Sequence, residues 1–286
     1  AAMKVAVSVH GRFHAFELAT HLHREGMLAQ VATTYPAFVA RRYLPAGVKL
    51  VTQPGLEAIR RLHRALGIGP SPDFFIARAF GRFSARHLPA ADILVGWSGA
   101  SLEAVVEAKR RGMRVALERG STHIVAQTEI LREAHARWGI SWAATDPRLI
   151  ERELAEYAAA DLIVTGSAYA RESFLARGVA PERVVVNPYG VDLSRFRPRP
   201  AAAPRAGKRR VLFVGEVGVR KGVPWLGQAF ARLPQEWELH LVGPLAPGFR
   251  AVLARLPMDR VVLRGALSRA ALVVAYQEAD IFCLPS

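Results

Sequence analysis

Short β-branched runs alternate with longer stretches of helical spacing along most of the chain, the pattern of parallel sheets wound with helices. Strands are predicted near residues 4–9, 28–33, 47–52, 92–96, 114–118, 161–165 and 183–187, enough for one doubly wound domain. Between the first two, Phe13, Phe16, Ala19 and Leu22 recur every three residues. The helix they predict buries one stripe and stops at Gly26, a residue type that tolerates positive φ. Arg197–Lys208 reads RPRPAAAPRAGK; its prolines deny it a sheet ladder or a helix interior, which makes 197–209 the predicted linker. The alternation restarts beyond it, with strands near 210–215, 238–242, 260–264 and 280–284. The expected architecture is therefore α/β, with two doubly wound Rossmann-like domains, 1–196 and 210–286. The second is expected to be incomplete, because the sequence stops at Ser286 directly after a strand.

Composition sets outer limits. A chain of 286 residues with 51% apolar content can bury one large or two medium cores. A single cysteine, Cys283, excludes a disulfide framework and a cysteine-based metal site. No apolar stretch approaches the roughly 18–20 residues of a spanning helix, and the start has no signal-peptide succession, so the expected location is cytoplasmic, with any membrane contact peripheral. The 39 basic residues against 24 acidic give a formal charge of +15. That favours an anionic partner, whether a membrane surface, nucleic acid or a phosphorylated ligand, without choosing among them.

One segment concentrates that charge. Leu56, Ile59, Leu62 and Leu66 form an apolar stripe beside Arg60, Arg61, His63 and Arg64, and the following stretch interleaves Phe74, Phe75, Phe80 and Phe83 with Arg78, Arg82 and Arg86. Such a pattern suits a helix lying on an anionic membrane; equally, its apolar residues can pack on the sheet and leave the arginines solvated.

The candidate chemistry sits at strand ends. VLFVGEVGVRKGVPWLGQAF reads as a strand, a loop punctuated by Gly215 and Gly218, and a helix beginning around 221–224. Free N–H groups at a helix start, with Arg220 and Lys221 beside them, make a seat for a diphosphate. In the first half, RVALERGSTHI leaves a strand and enters a polar turn with Glu118, Arg119 and His123. His10 and His14 have neither a third ligand nor an HExxH pattern, so no metal site is expected.

Taken in order, VVVNPYGVDLSRFRP (184–198), VLFVGEVGVRKG (211–222), LHLVGP (239–244) and VVLRGALSRAALVVAYQEADIFCLPS (261–286) resemble the successive motifs of the retaining glycosyltransferases of family 4, which have the GT-B fold. YAAADLIVTGSAYARESF (157–174) is similar to that family's Ala-Asp strand ending in a serine before a helix. The resemblance implies transfer of a sugar with retention from a nucleoside-diphosphate donor to a hydroxyl acceptor, either a glycan, a lipid or a small molecule. The nucleotide-sugar serves as co-substrate, and no cofactor or metal is implied. It implies that Lys221 and Arg220 neutralise the diphosphate, that Gly215, Gly218, Gly243, Pro244, Gly265, Ala266 and Leu267 surround the donor, and that His123 lies close to the reacting sugar. Arg12 and His14 fall to the acceptor side. An anionic membrane surface fits a lipid-linked acceptor; nucleic acid is not implied.

Three departures from the family qualify the resemblance. Glu216 follows the first glycine where the family often has arginine, and the first loop reads HGRFH with no GxGxxG. The Glu-x7-Glu pair that holds the donor in the family would begin past Ser286, so the chain is read as C-terminally truncated and, as given, inactive. A non-catalytic GT-B relative that binds or scaffolds is the alternative, favoured by Glu216. A nicotinamide-dependent oxidoreductase ranks below both for want of a dinucleotide fingerprint.

Overall fold

The structure, a computed structural model, describes residues 3–67, 69–198, 207–256 and 258–286. The strands are β1 (Val5–Val9), β2 (Leu28–Thr33), β3 (Leu50–Thr52), β4 (Ile93–Trp97), β5 (Arg114–Arg119), β6 (Leu162–Thr165), β7 (Val184–Val186), β8 (Arg209–Val214), β9 (Trp237–Val242), β10 (Val261–Gly265) and β11 (Ile281–Phe282). The helices are α1 (Ala15–Arg24), α2 (Ala37–Ala40), α3 (Pro54–Leu66), α4 (Asp73–Arg86), α5 (Leu102–Arg110), α6 (Ile124–Trp138), α7 (Pro147–Ala159), α8 (Ala168–Leu175), α9 (Val223–Phe230), α10 (Arg250–Leu253) and α11 (Arg269–Gln277).

All strand pairs are parallel and form two sheets, ordered β3-β2-β1-β4-β5-β6-β7 and β10-β9-β8-β11. In each, the order reverses once, at β1/β4 and at β8/β11. Open parallel sheets bind ligands beyond the carboxyl ends of the strands at such a reversal, so these two places position the sites described below.

Two compact units result. The chain up to Gln127 with Thr145–Tyr189 forms the first, and Thr128–Ala144 with the chain from Gly190 onward the second. The division thus falls at Tyr189/Gly190 rather than at 196/197, and most of the predicted linker, residues 199–206, lies outside the described residues. The membership of Thr128–Ala144 has a physical cause: Ala134, Trp138 and Ile140 pack on the core of the second unit, Trp138 edge-on to Trp225 at 5.6 Å.

Period-two alternation builds both cores. Val5, Val7 and Val9 face one layer with Phe16 and Ala19, while Ala6 faces the other with Leu94, Leu117 and Phe174. Likewise Val211 and Phe213 join Phe230, Leu239 and Leu241, and Leu212 joins Val242 and Ala275. The stripe expected over Phe13–Leu22 starts later than predicted. Phe13 precedes α1 with φ 43° and is 58% exposed, because the tight turn after β1 leaves helical geometry only from Ala15 on.

The Ala-Asp motif has a local function. Asp161 accepts the Val115 N–H at 2.8 Å and Asp280 the Arg210 N–H at 2.6 Å, and Asp92 does the same for Lys4 N at 2.6 Å. In each case a carboxylate at the start of one strand takes a backbone donor where the neighbouring strand begins, satisfying a group the ladder leaves open.

Candidate functional sites

In the second unit the carboxyl ends of β8, β9 and β10 are joined through backbone. Gly215 N donates to Val242 O at 2.8 Å, Gly243 N to Gly265 O at 2.8 Å, and Val217 N to Pro244 O at 2.8 Å. Three glycine turns spread over fifty residues of sequence, from Gly215 to Gly265, thus lie side by side, with Ala266 and Leu267 leading away from the third. Gly243 is obligatory here. Its φ is 136°, and an added Cβ would overlap Gly215 O. Gly222 is equally constrained, with φ 71° and Pro285 O 2.5 Å from where a Cβ would stand, which brings the segment after β11 against the turn at the sheet's reversal point.

Beyond Gly215 the chain forms a 3₁₀ turn, Val219–Lys221, before α9. Arg220 is exposed, as is Glu216. Lys221 is half-buried, and its ammonium pKa is lowered by burial and by Arg220, partly opposed by Glu216. A partly desolvated cation of this kind gains from an anion placed beside it. One expectation needs correction. The N–H groups of Lys221, Gly222 and Val223 close the turn itself, on Gly218 O, Val219 O and Gly218 O, so they do not converge outward as a phosphate cradle, and Pro224 has none to offer.

The first unit places its polar groups at the β1/β4 reversal. His14, the residue before α1, meets Glu118 at the end of β5, Nε2 to Oε2 3.2 Å. Its ring also lies 5.1 Å from Trp97 at the end of β4 and 4.7 Å from Tyr189. The His14 side chain is 33% exposed while that of Glu118 is 9%. A buried carboxylate thus orients a partly open imidazole, the relation that fixes tautomer and direction in acid–base and hydroxyl-binding sites. Tyr189 rests over Gly120 and Gly166, where any side chain would meet its ring.

Behind this pair lies a buried ionic brace. Arg119, 8% exposed, donates to Thr122 O at 3.0 Å and Gln127 Oε1 at 3.0 Å and pairs with Glu153 at 2.8 Å; Glu153 also accepts the Tyr157 hydroxyl at 2.6 Å. Glu156, wholly buried, accepts the N–H groups of Gly99 at 2.6 Å and Ser101 at 2.7 Å. Burial raises its carboxyl pKa to about 8. These contacts hold the turns after β4 and β5 in place.

The sequence-derived candidates of the first unit separate. Arg12 stacks on Tyr43, its guanidinium carbon 4.3 Å from the ring centre, and belongs to the same loop as His14. His123 stands apart, 5% exposed between Tyr157 and Phe174. Its Nδ1 accepts the Val125 N–H at 3.3 Å at the start of α6, and its backbone N–H donates to Ser173 Oγ at 2.8 Å. Burial, with Arg177 and Arg119 nearby, lowers its pKa to about 4. His123 is thus packed inside the first unit, whereas His14 presents an open face. Glu118 was visible in the sequence only as part of the polar turn after its strand, and nothing in the sequence joined it, Trp97 or Tyr189 to His14, because each reaches the imidazole from a different part of the chain.

Residues 208–286 match the family model described as Glycosyl transferases group 1. The match covers β8–β11 and their turns. No curated protein matches the chain in sequence. Among solved structures, HepE of Anabaena in complex with UDP and glucose is similar over 100% of this chain and 74% of that one, with TM-score 0.62 and 15% identity. The lipopolysaccharide outer core galactosyltransferase WaaB is similar over 99% and 74%, with TM-score 0.56 and 18% identity. A UDP-N-acetylglucosamine 2-epimerase from Rickettsia bellii gives 99% and 74%, TM-score 0.52 and 12% identity. With the two wound parallel sheets, these likenesses give the chain the GT-B fold.

Proposed function

We propose that this protein is a glycosyltransferase that moves a sugar from a nucleoside-diphosphate donor to a hydroxyl acceptor. The observation that carries the reading is the set of glycine turns 215, 243 and 265, locked together by backbone hydrogen bonds beside Lys221, within the stretch that matches the group 1 transferases. Phosphate charge grows as the glycosidic bond breaks, so a cation held there acts where it matters most. Lys221 faces the diphosphate in this reading and the exposed Arg220 assists it. Gly215, Gly218, Gly243, Pro244, Gly265, Ala266 and Leu267 shape the donor site. The family-model match favours transfer over epimerisation, since the epimerase likeness rests on fold alone.

His14, oriented by Glu118, binds the acceptor hydroxyl, with Arg12 beside it in the same loop. The family 4 resemblance adds a retaining course in which the leaving phosphate helps take the acceptor proton, and a glycan or lipid-linked acceptor. Peripheral attachment to an anionic membrane belongs to the same reading, in keeping with the +15 charge. Among the described residues no helix is long and apolar enough to cross a membrane.

The test is a panel of nucleoside-diphosphate sugars presented to the protein, with binding followed by ligand-detected NMR and nucleoside diphosphate release measured with and without hydroxyl acceptors. Binding of one donor and acceptor-dependent release support the reading, and an α-to-α or α-to-β product signal decides the stereochemical course. A panel in which no donor binds removes it.

A further inference from the structure

Helix α3 turns its polar side inward. At the helical pitch of about 100° per residue, Leu56, Glu57, Arg60 and His63 gather on one side and Ala58, Ile59, Leu62, Ala65 and Leu66 on the other. The covered side is the first. Leu56 is buried, and Glu57, Arg60 and His63 are half-buried; Arg60 donates to Glu57 at 3.2 Å and lies 3.8 Å from Asp73. The second side is bare. Ile59, Leu62 and Leu66 are 50%, 60% and 58% exposed, and Ala58 and Ala65 are exposed with them. A surface helix of a soluble domain normally has the opposite arrangement, so an apolar stripe roughly 120° wide is left facing water.

The charge around the stripe indicates what covers it. Residues 54–86 hold six arginines against two acids, Glu57 and Asp73, and both acids are already engaged by Arg60 or Arg61. Arg61 flanks the stripe exposed, Arg64 is exposed on the other side of the helix beyond Arg60, and on the adjoining α4 Arg78, Arg82 and Arg86 are exposed together with Phe75. A second copy of this chain would bring like charges together. Anionic lipid meets both requirements, with acyl chains for the stripe and headgroup phosphates for the arginines.

We propose that α3 is a membrane-docking helix, laid in the plane of an anionic lipid surface with Ile59, Leu62 and Leu66 inserted and Arg61 at the headgroups. This docking rests on the peripheral attachment named in the transferase reading; none of the residues assigned to the donor or acceptor site lies on this stripe, so lipid binding and nucleotide binding succeed or fail separately.

The experiment is flotation with phosphatidylcholine vesicles, with and without phosphatidylglycerol, at low and physiological salt. Binding is expected only to vesicles containing phosphatidylglycerol, and weaker at the higher salt, because surface attraction is screened over about 8 Å there. Leu62→Asp with Leu66→Asp, both in exposed positions, should leave the circular dichroism and melting temperature unchanged and lower binding at least tenfold at both salts. Charge reversal at Arg61 should weaken it chiefly at low salt. As a direct probe of insertion, Leu66→Cys in a Cys283→Ala background, labelled with an environment-sensitive dye, should shift to the blue on phosphatidylglycerol vesicles alone. Absence of binding at low salt, binding that survives the double aspartate variant, a dye that does not shift, or a solution dimer dispersed by the same aspartates would each overturn the proposal.

Discussion

The two units solve the same problem, a polar site beyond the carboxyl ends of parallel strands, with different materials. In the second unit the site is mostly backbone, the glycine turns after β8, β9 and β10 tied N–H to C=O, with Lys221 as the half-buried charge. In the first it is side chain, with His14, Glu118, Trp97 and Tyr189 converging from separate strand ends above the Arg119–Glu153 brace. Backbone can approach a ligand closely and discriminates little among ligands that share a diphosphate. Side chains can be exchanged one at a time, which suits the partner that varies. The difference therefore fits a shared donor chemistry in the second unit and an individual acceptor in the first.

The largest expected effect tests the backbone site. Gly243→Val must displace Gly215 O and adopt a φ that a β-branched residue avoids, at a cost of at least about 3 kcal/mol. Calorimetry should show early melting or loss of the second unit. If its stability is unchanged, the turns are not locked as described. Next is the brace. Arg119→Met leaves Glu153 buried without its cation, and denaturant unfolding should show a loss of about 3 kcal/mol. A loss of less than about 1 kcal/mol would mean that the pair is solvated.

Exchange at the proposed acceptor site should act on turnover and not on the fold. His14→Ala is expected to lower kcat/KM for the acceptor about tenfold, the worth of one hydrogen bond to substrate, with nucleotide affinity as in the parent. Parallel loss of nucleotide affinity would blur the division between the units. The smallest effect concerns what the units share. Asp92→Ala in the first and Asp280→Ala in the second each remove one acceptor for a strand-start N–H and should each cost about 1 kcal/mol. Markedly unequal losses in chemical denaturation would show that the motif does different things in the two sheets.

The same contrast explains what could be read from the sequence. All eleven strands of the described residues were legible, because each is written as a short apolar run rich in β-branched residues, and the glycines at 215, 243 and 265 were legible because each ends or follows such a run. The side-chain site was largely illegible. Glu118 lies 104 positions from His14, and nothing in RVALERGSTHI shows that it meets that residue while His123 is buried between Tyr157 and Phe174. Helix α3 shows a further limit. Its stripe was plain in the sequence, but the same stripe serves a core or a surface, and only the placement of Arg60 inward and Leu62 outward separates the two. The Thr128–Ala144 segment gave no sign of its unit, since its sequence states which residues are apolar and not which core receives them.

The central claim is that the locked glycine turns and Lys221 of the second unit hold a nucleoside diphosphate. Titration calorimetry with UDP, GDP, ADP and dTDP tests it most directly, on the parent protein and on Lys221→Ala, whose half-exposed position leaves the fold intact. One nucleotide is expected to bind the parent, and Lys221→Ala to weaken it at least about tenfold, or about 1.4 kcal/mol, with an unchanged melting temperature in the absence of ligand. Binding of equal strength in Lys221→Ala, or no binding of any of the four to the parent, would contradict it.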